Sequence, residues 1–309
     1  MIVTVTVNPA LDRTVQIDRL RPGRLNRVGP AVSDAGGKGV NVSRAIAAWG
    51  GRSVATGFVG GPVGDDIVRR LAGDPAIRSD FVVVAGQTRT NLKVIDRDFG
   101  LTELNEPGVE VDAAEAAALE RKVAAAAGGA VVVLSGSLCR GLPDDFYARL
   151  IRSIHAAGGL AYLDADGPAL AAALAERPDL IKPNRHELAQ LAGLPDDLDC
   201  DRVVAVARAQ VAAGLPRLVV SLGDQGAIFV TADQVWRSGP LAVPVRSTVG
   251  AGDAMVAALA LAAERGLDWA QAAAWAMAGS AGAVTTEGTK PPDRPLIEQL
   301  LPLVRLEAI

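Results

Sequence analysis

Short apolar runs that stop at a glycine, an asparagine or an acid, alternating with alanine-rich stretches, dictate most of what this chain can become. The runs 2–7, 54–59, 130–134, 161–163, 180–182, 218–221 and 227–230 are rich in Val, Ile, Leu and Ala. Several are continuously apolar, which suits strands covered on both faces, whereas a strand with one wet face would alternate. Between them, segments 42–49, 65–71, 113–127, 144–156, 185–192, 203–213, 254–264 and 267–284 read as helices, and their alanines favour close packing of helix on sheet. The alternation predicts a doubly wound, mainly parallel α/β sheet flanked by helices. With 309 residues, the chain suits a single large domain of this kind carrying an insertion.

Two segments break the rhythm. Residues 13–33 and about 82–106 alternate apolar with polar side chains, as in Thr14-Val15-Gln16-Ile17-Asp18 and Asn91-Leu92-Lys93-Val94, and carry no helix signal. They predict a small antiparallel sheet with one wet face, inserted into the core as a lid or an oligomer surface. Composition narrows the function classes. Lys plus Arg number 31 against 35 Asp plus Glu, for a formal net charge of −4, and no basic block is present to neutralise a nucleic-acid backbone. The two cysteines, Cys139 and Cys200, make neither a disulfide framework nor a metal-spaced cluster. No apolar stretch is long enough for a bilayer, and the first residues lack the regions of a signal peptide. The expectation is a cytoplasmic protein without membrane or nucleic-acid partners.

Chemistry concentrates in turns that open helices. In Ser247-Thr248-Val249-Gly250-Ala251-Gly252-Asp253, Gly250 and Gly252 let the backbone turn tightly, so that successive N–H groups converge at the positive end of a helix dipole. An anion fits there. Asp253, in the first turn, either accepts a proton from a substrate hydroxyl or simply caps the helix. Gly36-Gly37-Lys38-Gly39 precedes Asn41 and a helix but lacks the Walker spacing. It reads as close approach to a ligand with Lys38 as the charge, or as a tight turn with an exposed lysine. In Lys182-Pro183-Asn184-Arg185-His186-Glu187, Asn184 and Glu187 are spaced as a capping box, and the rival reading sets both near a hydrated Mg²⁺. Asp12, in Asn8-Pro9-Ala10-Leu11-Asp12, closes the first strand on the side where open α/β sheets bind ligands. Arg89, Asn91 and Lys93 share one strand face, which suits an anionic ligand or plain solvent. His155 and His186 have no nucleophile beside them, and Trp49, Trp269 and Trp275 read as packing. Cys139, after Ser135-Gly136-Ser137, has nothing to activate a thiolate.

Taken in order, TVNPALD, GGKGVNVSRAIAAWGG, TRTNLKV, TELNEPG, SGSLCRGLP, KPNRHEL, SLGDQGA, STVGAGDAM and GSAGAVTTEGT resemble the PfkB (ribokinase-like) carbohydrate kinases, in particular the 1-phosphofructokinase and tagatose-6-phosphate kinase branch. The resemblance runs essentially from end to end. It implies a ribokinase-like fold and transfer of a phosphoryl group from ATP, with Mg²⁺, to a ketose phosphate. By it, Asp253 is the general base, and Gly250, Ala251 and Gly252 form the anion hole. Asp12, Gly37, Lys38, Asn41, Arg89 and Ser137 match sugar-phosphate contacts, with Arg24 or Arg27 reaching over from the lid. Lys182, Ser221, Gly223, Gly226 and Thr248 match the ATP side. Asn184 and Glu187 match the segment that acts on Mg²⁺ through water, which turns the preference away from a purely structural cap. The reaction asks for in-line placement and charge stabilisation, with Lys38 and Arg89 anchoring the sugar's phosphate. Related lids pair across subunits, so a homodimer through the lid is expected.

Two positions depart from the resemblance. Cys139-Arg140 stands where the family usually has Pro-Pro, and Asp166 where it has Ser. They bear on substrate preference and not on the reaction class. The resemblance favours fructose 1-phosphate as acceptor, with tagatose 6-phosphate and fructose 6-phosphate as alternatives. Lys38 stands where the 6-phosphofructokinase branch typically has another glycine. Outside enzymes, the rival is a sugar-phosphate or nucleotide sensor.

Overall fold

The computed structural model of the chain describes residues 1–97 and 100–309. Its larger sheet has eleven strands. From one edge, Ile77–Ser79, Ser53–Val59, Ile2–Thr6, Val131–Ser135, Leu160–Asp164, Leu180–Ile181 and Leu218–Ser221 run parallel. Ala227–Val230, Val235–Ser238 and Glu307–Ala308 finish the sheet antiparallel. Ile2–Thr6 is flanked by Ser53–Val59 on one side and Val131–Ser135 on the other, so strand order climbs outward in both directions from it. Such a switch point leaves a crevice beyond the strands' C-terminal ends.

Apolar continuity is explained by cover on both faces. Every residue of those three central strands is buried. On one face Leu119, Val123, Phe146, Leu150 and Ile154 come from the helices Ala113–Ala126 and Phe146–Ala156. On the other, Ile46, Val256, Leu259 and Ala276 come from Lys38–Ala48, Ala251–Glu264 and Trp269–Ala283. Small residues set the spacing here: a Cβ on Gly279 would lie 3.0 Å from the ring of Trp49, whose Nε1 donates to the Pro292 carbonyl at 2.9 Å. Residues 253–262 of Ala251–Glu264 are all buried, which fixes whatever its first turn carries.

The smaller sheet has the order Ala31–Gly36, Ala10–Ile17, Arg89–Asp96, Gly100–Asn105. Its outer pairs are antiparallel and its central pair is parallel, because its two halves are separate excursions that leave the core in the same direction. The strands begin at Ala10 and end at Gly36, wider than the expected 13–33, and the chain between Ile17 and Ala31 is a connecting loop. Val82–Val83 pairs instead with Ser53–Val59 of the core, because Val82 and Val84 are buried in the core cluster. Residues 98–99 of the second segment lie outside the described residues. Among the described residues no helix is long and apolar enough to cross a membrane.

Candidate active site

Strand ends, two helix starts and the smaller sheet meet around one carboxylate. Gly250 adopts φ +84°, a left-handed turn that glycine takes at no steric cost, and Ala251–Glu264 starts with no side chain bonded to its first amides. Those amides remain for an anion. Asp253 does not cap the helix. It is buried in the first turn, and Asn41 Nδ2 donates to its Oδ2 at 2.8 Å. Burial pushes the Asp253 carboxyl up to about 6 and the charge of Asp164 adds to this, while Asn41, Lys38 and Lys182 pull back. A carboxylate so placed is ionised at neutral pH and a better proton acceptor than an exposed one.

Asp164 ends the strand Leu160–Asp164 and is buried. Lys38 Nζ donates to its Oδ1 at 3.2 Å, and Lys182 Nζ lies 3.5 Å from the same oxygen. Burial opposes the charge of Asp164, yet Lys182 and Lys38 hold its carboxyl below the usual carboxylate range. For Lys38 burial likewise opposes the charge, and Asp164, Glu187 and Asp253 outweigh it, holding the ammonium above its ordinary value. A Cβ on Gly252 would sit 3.4 Å from Lys182 Nζ, so this lysine faces the glycine turn. Two ammoniums beside free amides make an arrangement suited to a polyphosphate.

Asn184 and Glu187 do form the capping box. Glu187 N donates to Asn184 Oδ1 and Asn184 N to Glu187 Oε2, each at 2.8 Å. The second oxygen of Glu187 is left over, close enough for its charge to act on Lys38. Among the described residues no group of three or more His, Cys, Asp or Glu could hold a metal by itself. The hard oxygens of Glu187 and Asp164 nevertheless fit Mg²⁺, which keeps waters and binds through few carboxylates plus phosphates.

The rest of the site rides on the smaller sheet. Asp12 belongs to Ala10–Ile17 rather than to the first core strand, and its carboxylate accepts from Asn91 Nδ2 at 3.0 Å and Lys93 Nζ at 2.9 Å. A Cβ on Gly36 would come within 2.6 Å of that carboxylate, and one on Gly37 (φ +105°) within 2.8 Å of Thr6. The chain itself thus approaches both glycines closely. Arg89 donates to the Asn8 carbonyl at 3.0 Å and the Glu106 carbonyl at 3.4 Å, its Nε is buried without a partner, and burial holds its guanidinium below the ordinary value. Lys38, expected with Arg89 to anchor the sugar's phosphate, is paired with Asp164 in this structure.

A cavity of about 670 Å³ opens between Thr14, Gln16, Lys93 and Ile95 of the smaller sheet and the Val245–Val249 turn, so Thr248 lines its wall. Ser137 is exposed just beyond Val131–Ser135. Ser221 bridges to Asn184, while Gly223 and Gly226, both at positive φ, turn the chain after it. Arg24 and Arg27 are exposed in the loop after Ile17, and no bond among the described residues joins them to the site. The Cys139 thiol donates to the Val7 carbonyl at 2.7 Å, and burial pushes it up to about 12, far from thiolate chemistry. His155 and His186 pair with Asp179 and Asp196 away from the site. Sequence reasoning passed over Asp164, although the rule that drew attention to Asp12, an acid closing a parallel strand, applies to it directly.

A family model described as pfkB family carbohydrate kinase matches residues 6–295. A 1-phosphofructokinase of Xanthomonas campestris pv. campestris is 42% identical over 267 residues, covering 84% of this chain and 83% of that protein. A 1-phosphofructokinase of Rhodobacter capsulatus is 38% identical over 308 residues, covering 98% and 96%. The crystal structure of phosphofructokinase-2 from Escherichia coli in complex with potassium aligns with a TM-score of 0.92 at 32% identity, covering 98% of each chain.

Proposed function

Because the chain belongs to the pfkB family of carbohydrate kinases, we propose that it transfers the γ-phosphoryl group of ATP to the 6-hydroxyl of fructose 1-phosphate, yielding fructose 1,6-bisphosphate. The observation that carries the mechanism is the buried Asp253 carboxylate beside amides that no side chain caps. Asp253 takes the proton of the acceptor hydroxyl as that oxygen attacks, and the Gly250–Gly252 amides meet the charge spread over the transferring group. Lys182 and Lys38 face the nucleotide's phosphates from Asp164. Mg²⁺, held through water by Glu187 and Asp164, would supply charge neutralisation on those phosphates. Asp12, fixed by Lys93 and Asn91, presents acceptor oxygens to sugar hydroxyls, and Arg89 anchors the sugar's phosphate.

Fructose 1-phosphate is favoured because the relatives from Xanthomonas campestris and Rhodobacter capsulatus, 42% and 38% identical, are 1-phosphofructokinases. With Mg-ATP, kcat/KM should be highest for fructose 1-phosphate among fructose 1-phosphate, tagatose 6-phosphate, fructose 6-phosphate, fructose and ribose. A higher value for either other sugar phosphate replaces the acceptor and keeps the kinase. ADP release with none of them leaves a sensor as the surviving reading.

Val32, Ile95 and Leu101 are exposed on one face of the lid sheet, an apolar surface that a second lid would cover. A homodimer is therefore proposed. Light scattering should report it at micromolar concentration, and a monomer alone there would overturn it. Two free cysteines accord with a cytoplasmic setting.

A further inference from the structure

The last lid strand, Gly100–Asn105, returns to the core through Glu106, Pro107 and Gly108, and three side chains hold their consecutive carbonyls. Arg89 donates to Glu106 O at 3.4 Å, Asn8 Nδ2 to Pro107 O at 3.2 Å, and Arg140 to Gly108 O at 3.4 Å. Arg140 is anchored by its backbone: Val111 N donates to its carbonyl at 2.9 Å, and it bridges to Glu110. Its chain neighbour Cys139 is buried, its neutral thiol donating to the Val7 carbonyl at 2.7 Å, and Arg89 is near enough to favour the ionised form of that thiol against burial. Arg89 and Arg140 thus hold the two ends of one three-residue turn, and Arg140 lies on the loop that also carries Ser137.

Charge accounting separates these two arginines from Lys38, Lys182 and Lys93. Lys38 and Lys182 share Asp164, and Lys93 is paired with Asp12. Arg89 and Arg140 bond only to neutral carbonyls, and among the described residues neither has a carboxylate in ion-pair distance. The bonds to Glu106 and Gly108 are long, and a phosphate oxygen is a stronger acceptor than a carbonyl. Asn8 keeps its hold on Pro107 when either guanidinium leaves. Resting on the reading of Arg89 as the anchor of the acceptor's phosphate, we infer that Arg140 is a second guanidinium for that phosphate, so that a dianionic monoester is gripped by Arg89 and Arg140 together.

Steady-state kinetics of Arg140→Ala, Arg140→Lys and Arg89→Ala at saturating Mg-ATP test it. Arg140→Ala should raise KM for fructose 1-phosphate about tenfold, with kcat and the KM for ATP held within about twofold, and lysine should restore part of the loss. If Arg89→Ala raises that KM and Arg140→Ala does not, the inference falls and the anchor stands. If neither raises it, the anchor reading falls as well. A fall in kcat, or equal damage to both KM values together with a lowered Tm, marks Arg140 as a support for the Gly108 turn only and overturns the inference.

Discussion

Asp253→Asn should leave a folded protein whose kcat has dropped by about 10²- to 10⁴-fold, the usual worth of a positioned general base. Near-normal turnover would sink the mechanism. The same carboxyl sets a pH limb. A base works only when ionised, so the unmodified chain should lose kcat as pH falls through about 6. Stability runs the opposite way. In the unfolded chain this group titrates near ~3.9; its folded value is higher, so the stability it contributes is full below the unfolded value and is lost as pH rises through about 6. Asparagine removes that cost. Urea unfolding should therefore show the inactive variant more stable than its parent by about 1–3 kcal/mol at pH 8, with no gain near pH 4.

Asp164→Asn should have the second-largest effect, and for two reasons that can be read separately. It takes the shared counter-ion from Lys38 and Lys182, and Lys182 is buried. Stripping one partner from a buried pair costs about 3 kcal/mol, which denaturant titration would detect. The charge of Asp164 is also one of the causes that hold the Asp253 carboxyl high, after burial itself. Its removal leaves burial opposed by Asn41 and the two lysines with no acidic neighbour to aid it, so the acid limb of kcat should move to lower pH. A limb that stays in place or moves up would show that Asp253 does not feel Asp164.

What could be read without coordinates was what apolar continuity encodes. Ile2–Thr6, Ser53–Val59 and Val131–Ser135 are legible because burial on both faces leaves them no polar alternative. Val235–Ser238 escaped because Trp236 and Arg237 are only half-buried toward the sheet's edge, and Gly167–Ala173 because seven residues opening on Gly-Pro look like a turn. Val82–Val83 was assigned to the wrong sheet, since two valines do not say which neighbour they pair with. In the site, the glycine turn before Asp253 announces itself locally. Asp164 does not: its two lysines stand 18 and 126 residues away, and only the fold brings them to one oxygen. The glycines of GGKG were visible, but their reason, the nearness of Thr6 and Asp12, is tertiary.

The reacting centre is divided between two sheets. Asp253, Asn41, Lys38 and Lys182 hang from the core, whereas Asp12, Asn91, Lys93 and Arg89 hang from the smaller sheet, which leaves and rejoins the core only at its strand ends. On the proposed function, transfer chemistry and acceptor choice therefore rest on separate pieces of architecture. If Asp253 is the base as proposed, substitutions in the four-stranded sheet can change the acceptor while the buried helix that carries Asp253 stays in place.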